Sequence, residues 1–267
     1  RDYSPLHHDA LPIKELVLYL KRRLIGEDPT NVEPLFNKIR GYGSDGRFGG
    51  SVSGVEMALW DITGKALEIP VYKLIGGKFR KKIRIYCDCH AGRAIGDAAT
   101  DYAYEGSEEF YTPEAYAKAA QKIKAIGFTM LKFDLHPQYA GNDALIGNSP
   151  TNKAIKYEVS VVQALRETVG DDFPLALDAY QGGTVNGAIR FGKAVDPYGL
   201  MWIEDLLDWH DVAGFKQVTA AIKTPTLTGE NIYTTAHFKR LIERRAVDIV
   251  APDMATHGGI LENKKVA

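Results

Sequence analysis

Three acidic residues close three short apolar runs at equal intervals of 26 residues. Asp178 follows Phe173-Pro174-Leu175-Ala176-Leu177, Glu204 follows Gly199-Leu200-Met201-Trp202-Ile203, and Glu230 follows Thr224-Pro225-Thr226-Leu227-Thr228-Gly229. A short apolar run, then a carboxylate, then a stretch of helical period is the pattern of a βα unit, whose buried strand opens at its C-terminal end. Units of this kind laid side by side aim their end residues at one point. Three carboxylates converging there repel one another at neutral pH, and a divalent cation between them removes the repulsion. The spacing therefore predicts a metal-dependent enzyme.

The rhythm extends on both sides of the three acids. Strands are predicted at Ile83–Cys89, Thr129–Phe133, Pro174–Leu177, Leu200–Ile203, Pro225–Thr228 and Val247–Ala251, with helical stretches near Pro113–Ile126, Lys156–Val169, Val185–Val195, Val212–Ile222 and Thr234–Arg245. Thr112-Pro113-Glu114 combines a capping hydroxyl, a proline in the first turn and an acid near the positive helix end. Strands alternating with helices imply a parallel sheet covered on both faces, either a closed barrel or an open doubly wound sheet. No strand is followed by a Gly-x-Gly-x-x-Gly or a Gly-x-x-x-x-Gly-Lys-Ser/Thr turn, which disfavours the nucleotide-binding open sheet. Polar groups at the ends of all six strands (Asp88, Lys132, Asp134, Asp178, Glu204, Glu230, Asp253) favour a barrel of the modified TIM type with six βα units visible. Six strands do not close an eight-stranded barrel, so on this reading two units are absent after Ala267.

The segment before the repeat reads differently. Leu11 to Ile39 is helical, broken at Gly26-Glu27-Asp28-Pro29; a glycine- and serine-rich loop, a lid or a plain connector, spans Gly41 to Gly54. Ser53 to Leu67 is an amphipathic helix with Val55, Leu59, Ile62 and Ala66 on one face, ended by Ile69-Pro70. Residues 1–80 are accordingly expected to form the helical remnant of an α+β capping domain, and 81–267 the incomplete barrel.

The bulk properties exclude several classes. With 33 basic and 34 acidic residues the net charge is −1, so no global field draws in nucleic acid or an anionic membrane. The apolar runs fall far short of the ~20 residues of a membrane helix, and the chain is expected to be cytoplasmic. Cys87-Asp88-Cys89-His90 invites a zinc reading, but there is no second ligand pair, and two cysteines in one strand are poorly placed for a disulfide. A reducing compartment fits.

The ordered set Ile25-Gly26-Glu27-Asp28-Pro29, Glu56 through Leu67, Leu131-Lys132-Phe133-Asp134, Leu177-Asp178, Trp202-Ile203-Glu204-Asp205, Thr228-Gly229-Glu230-Asn231 and Pro252-Asp253 resembles the enolase superfamily, within it the mandelate racemase-like subgroup rich in acid-sugar dehydratases. The resemblance implies that Asp178, Glu204 and Glu230 carry Mg²⁺, which suits hard oxygen ligands. It implies that the metal chelates a substrate carboxylate and stabilises the enediolate formed when the adjacent C–H loses its proton. The family often has a Lys-x-Lys pair on the second strand. Here the text is Lys132-Phe133-Asp134, so the second lysine is absent, a two-base racemase is disfavoured, and Lys132 remains as a positive charge near the substrate. Asp253 matches the aspartate of an Asp-His dyad whose histidine is expected beyond Ala267; His257 does not stand at the family position. Some relatives carry a histidine two residues after the first metal ligand, where this chain has Tyr180, expected either to donate a proton to a leaving hydroxyl or to hydrogen-bond the substrate. Asp134, His90 and His136, at or just past strand ends, are candidate substrate-binding groups.

These residues lead to a Mg²⁺-dependent hydro-lyase that converts an aldonic or related sugar acid into a 2-keto-3-deoxy acid, expected to work as a homo-oligomer. Two alternatives stand beside it: a racemase or epimerase using the same enolate chemistry, and a catalytically silent truncated barrel.

Overall fold

The computed structural model describes residues 10–43, 50–89, 91, 108–179 and 183–267. They form two compact units: the described part of 1–83 with 229–241 and 251–267, and the described part of 84–228 with 242–250.

In the first unit, α1 (Ala10–Leu24), α2 (Val32–Ile39) and α3 (Gly50–Ala66) pack together, followed by the single turn α4 (Val71–Leu74). Leu20, Phe36, Ile39 and Val52 make one apolar cluster, and Val32, Leu35 and Leu59 a second. The α3 helix starts at Gly50, inside the segment expected to be loop, and its buried face runs through Val52, Glu56, Leu59 and Thr63. Ile62, expected on that face, is exposed, as is Ala66. The shift arises because Glu56 is wholly buried: its carboxylate accepts from Trp60 Nε1 (2.7 Å), Ile260 N (2.8 Å) and Leu261 N (3.0 Å). Those amides open α10 (Ile260–Val266), so the carboxylate caps the positive end of that helix. Gly259, at φ +89°, gives the carboxylate room; a Cβ there would lie 2.0 Å from Glu56 Oε2.

The second unit is built on a sheet of β1 (Cys87–Cys89), β2 (Leu131–Asp134), β5 (Leu175–Asp178), β6 (Ile203–Glu204), β7 (Thr226–Thr228) and β8 (Ile249–Val250), all parallel. A small antiparallel hairpin, β3 (Leu145–Ile146) with β4 (Ser149–Pro150), interrupts the repeat and was not legible as strand. Among the described residues the sheet order follows the chain without reversal, β1-β2-β5-β6-β7-β8. A doubly wound sheet reverses at a switch point; monotonic order is that of a barrel wall. The strands lie where the apolar runs predict but are shorter. The first begins at Cys87, with Ile83 and Ile85 exposed ahead of it.

The helices α5 (Pro113–Ile126), α6 (Asn152–Val169), α7 (Val185–Val195) and α8 (Val212–Ala221) also match expectation closely, as does α9 (Thr235–Arg244), most of which belongs to the first unit. Thr112 Oγ1 accepts from Ala115 N at 3.2 Å, with Pro113 in the first turn. Arg166 of α6 is buried and donates to five carbonyls, those of Tyr198, Gly199, Gly170, Asp171 and Phe173, pinning the loops that lead into β5 and β6. No helix among the described residues is long and apolar enough to cross a membrane.

Glu158 lies on the buried face of α6, and burial pushes its carboxyl up from 4.5 to about 8. Below pH 4.5 the folded and unfolded chains both hold this proton. Between 4.5 and 8 the unfolded chain releases it while the folded chain retains it, so stability falls as pH rises through that window and is flat above it. Glu158→Gln should leave the melting temperature unchanged at pH 4.5 and raise it at pH 8, by the equivalent of a few kcal/mol. Thermal melts of both proteins across that range check this; parallel pH profiles would contradict it.

Candidate metal centre

Strand pairing brings the acids together. Asp134, Asp178 and Glu204 are register partners on β2, β5 and β6, and residues in register on parallel strands share a face. Two positions further back, and so on the same face, Asp88 and Lys132 are also partners. Glu230 follows β7 by two residues, after Gly229 at φ +150°, where a Cβ would press on Ala251 O at 2.8 Å. Glycine at 229 is what allows the chain to turn there. Asn231 Nδ2 donates to Glu230 Oε1 at 2.9 Å, and the Thr256 hydroxyl donates to the Glu230 carbonyl.

Carboxylate oxygens of Asp178, Glu204 and Glu230 all lie within 4.8 Å of one another. Lys132, with only 4% of its side chain exposed, places Nζ 2.8 Å from Asp178 Oδ2, 3.0 Å from Glu204 Oε2 and 3.4 Å from Asp88 Oδ1. Its ammonium is held charged, far above the usual lysine range, by Asp178, Glu204 and Asp88 acting against burial. Among the described residues, Lys132 is the cation paired with these acids. Burial and the neighbouring Asp178 push the Glu204 carboxyl up, to about 8. An all-oxygen donor set of three carboxylates fits a hard divalent cation.

The other expected site residues are distributed differently. Asp134 is buried at the end of β2, where Tyr116 OH donates to its carbonyl at 2.9 Å. His136 is buried beside the Tyr111 and Tyr139 rings, with Nδ1 3.4 Å from Gln138 Nε2. Asp253 is exposed in a turn, its Oδ1 accepting from Ala255 N at 2.8 Å. His257 is completely buried, with its ring against Phe238 at 4.7 Å, which removes it from consideration as a solvent-side base. His90 and Tyr180 lie outside the described residues. Cys87 and Cys89 are both buried.

Two residues escaped the sequence reading of the site. Asp205 is buried at φ 49°, and its Oδ1 accepts from Thr228 Oγ1, tying the end of β6 to the end of β7; its only signal in the sequence is its position beside Glu204. Tyr86 places its ring 5.8 Å from Lys132 Nζ and edge-on to Trp202 at 5.8 Å, giving the ammonium an aromatic floor.

The fold and this cluster define a parallel βα protein with a group of three carboxylates that could hold a metal ion at its strand ends. The chain matches two family descriptions, "Enolase C-terminal domain-like" over residues 114–267 and "Mandelate racemase / muconate lactonizing enzyme, N-terminal domain" over residues 9–76, and it belongs to the mandelate racemase and muconate lactonizing enzyme family of the enolase superfamily. It is 33% identical over 256 residues to the D-xylonate dehydratase of Haloferax volcanii, covering 93% of this chain and 58% of that protein. It is 26% identical over 264 residues to the D-gluconate dehydratase of Thermoproteus tenax, covering 96% and 48%. Among solved structures, a mandelate racemase/muconate lactonizing enzyme-like protein from Rubrobacter xylanophilus superposes with a TM-score of 0.86 at 35% identity, over 96% of this chain and 66% of the other. The chain thus spans about half the length of the curated relatives it matches.

Proposed function

We propose that this protein is a Mg²⁺-dependent hydro-lyase acting on a sugar acid, removing the proton next to the carboxylate and expelling the neighbouring hydroxyl as water to leave a 2-keto-3-deoxy acid. The observation that carries the reading is the convergence of Asp178, Glu204 and Glu230 oxygens within 4.8 Å. The names of the D-xylonate and D-gluconate dehydratases among its relatives support the substrate class. When bound, Mg²⁺ supplies a Lewis acid that lowers the energy of negative charge developing on the substrate carboxylate.

The chain's own residues divide the remaining work. Asp178, Glu204 and Glu230 hold the cation, and the charge of Lys132 attracts the substrate carboxylate into the same cup. Tyr180 is assigned to hand a proton to the leaving hydroxyl, and Asp253 to orient a basic partner. Asp134, His90 and His136 are assigned to the substrate's hydroxyls. With one lysine on β2, proton abstraction from one face only is favoured, which argues for elimination over racemisation.

The test is incubation with Mg²⁺ and a panel of aldonic and aldaric acids in D₂O. The expected result is a 2-keto-3-deoxy product from at least one acid, abolished by chelator. Exchange or inversion at the α-carbon without elimination would replace this reading with an epimerase. Mg²⁺ binding with no turnover of any acid would leave a metal-binding but silent protein.

A further inference from the structure

Lys132 stands at the oxygens the cation needs. Its Nζ lies 2.8 Å from Asp178 Oδ2 and 3.0 Å from Glu204 Oε2, two of the three acids of the metal centre, and 3.4 Å from Asp88 Oδ1. An ammonium has three N–H bonds, and here three carboxylates from three strands lie around it. The stem is buried, and the Tyr86 ring lies 5.8 Å from the ammonium, so the charge is not dispersed into bulk water. A buried cation and a divalent ion drawn to the same two carboxylates repel each other strongly at low effective dielectric.

We propose that Lys132 is a resident counter-cation of the carboxylate cluster: it preassembles Asp178 and Glu204 when the divalent ion is absent and opposes that ion's binding when it arrives. The inference rests on the cation reading of the triad and adds a sign to it. By linkage, whatever Lys132 subtracts from cation affinity equals the extra stability it gives the cation-free fold over the cation-bound one. A lysine whose only task was to meet a substrate carboxylate, or to fill space, would have neither effect. The device keeps the acids from splaying before loading and keeps the site from holding its cation too tightly.

The test measures Mg²⁺ binding by calorimetry and melting temperature with and without Mg²⁺, with no substrate present. The proteins are the unmodified protein, Lys132→Met, which keeps most of the stem volume without the charge, and Lys132→Arg, which keeps the charge. Lys132→Met is expected to melt about 5 °C or more lower in chelator, to gain more from Mg²⁺ than the unmodified protein does, and to bind Mg²⁺ about tenfold or more tighter. Lys132→Arg is expected to bind Mg²⁺ within about threefold of the unmodified protein. Should Lys132→Met fold only in Mg²⁺ and unfold on chelation, that is the same result in stronger form. Equal or weaker Mg²⁺ binding by Lys132→Met, or losses shared equally by Met and Arg, would overturn the proposal while leaving the metal centre intact. An unmodified protein that shows no Mg²⁺ binding would remove the cation reading and this inference with it.

Discussion

Glu204→Gln is expected to abolish the response of this protein to divalent cations. The substitution keeps the shape and a carbonyl oxygen for Lys132 but removes one of three charges gathered within 4.8 Å. In the cation-free protein Glu204 is already pushed toward its neutral form by burial and by Asp178, so glutamine resembles the state it replaces and the fold should be unharmed. The loss therefore appears only when the cation is offered: Mg²⁺ affinity should fall by about 100-fold or more, on the order of 3 kcal/mol. Mg²⁺ should raise the melting temperature of the unmodified protein and leave that of the variant where it is. Product formation in the sugar-acid screen should disappear with the binding. An unchanged Mg²⁺-induced shift in Glu204→Gln would show that the triad is not the cation's site.

Glu56→Ala should produce the largest loss of stability. The carboxylate is wholly buried and accepts from Trp60 Nε1, Ile260 N and Leu261 N. Truncation leaves three donors without their acceptor and opens a cavity beside Gly259. The expected cost is about 3–4 kcal/mol, read as a shift in the urea midpoint of unfolding, with the amides of Ile260 and Leu261 losing protection from hydrogen exchange first. Glu56→Gln keeps an acceptor and should cost about 1 kcal/mol. An alanine variant that loses no more than its glutamine counterpart would mean that α10 is held by other contacts.

Glu56 also illustrates what sequence reading misses. The apolar face read from the sequence, Val55, Leu59, Ile62 and Ala66, leaves it out, and a carboxylate is ordinarily placed outside. Its burial depends on amides more than two hundred residues away in the chain, which no local window contains. Lys132 teaches the same lesson at the carboxylate cluster. Its identity was legible as a cation at a strand end, but its partners lie 46 and 72 residues on, and only strand pairing brings them to 2.8 and 3.0 Å. The exposed Asp253 and the buried His257, four residues apart in the sequence, could not be told apart by spacing.

What the amino-acid sequence determined by itself was whatever short-range chemistry encodes. Apolar runs fixed where the strands fall, Thr112-Pro113 set the start of a helix, and the even step between Asp178, Glu204 and Glu230 marked them as equivalent ends of successive βα units. What the tertiary structure decided was the order of the strands, the register that aligns Asp134, Asp178 and Glu204, and the lysine laid between the acids. The division follows from range. Backbone periodicity and capping are set within a few residues, whereas register and the pairing of buried charges are settled only when distant segments share one low-dielectric interior, where an unmatched charge is too costly to leave.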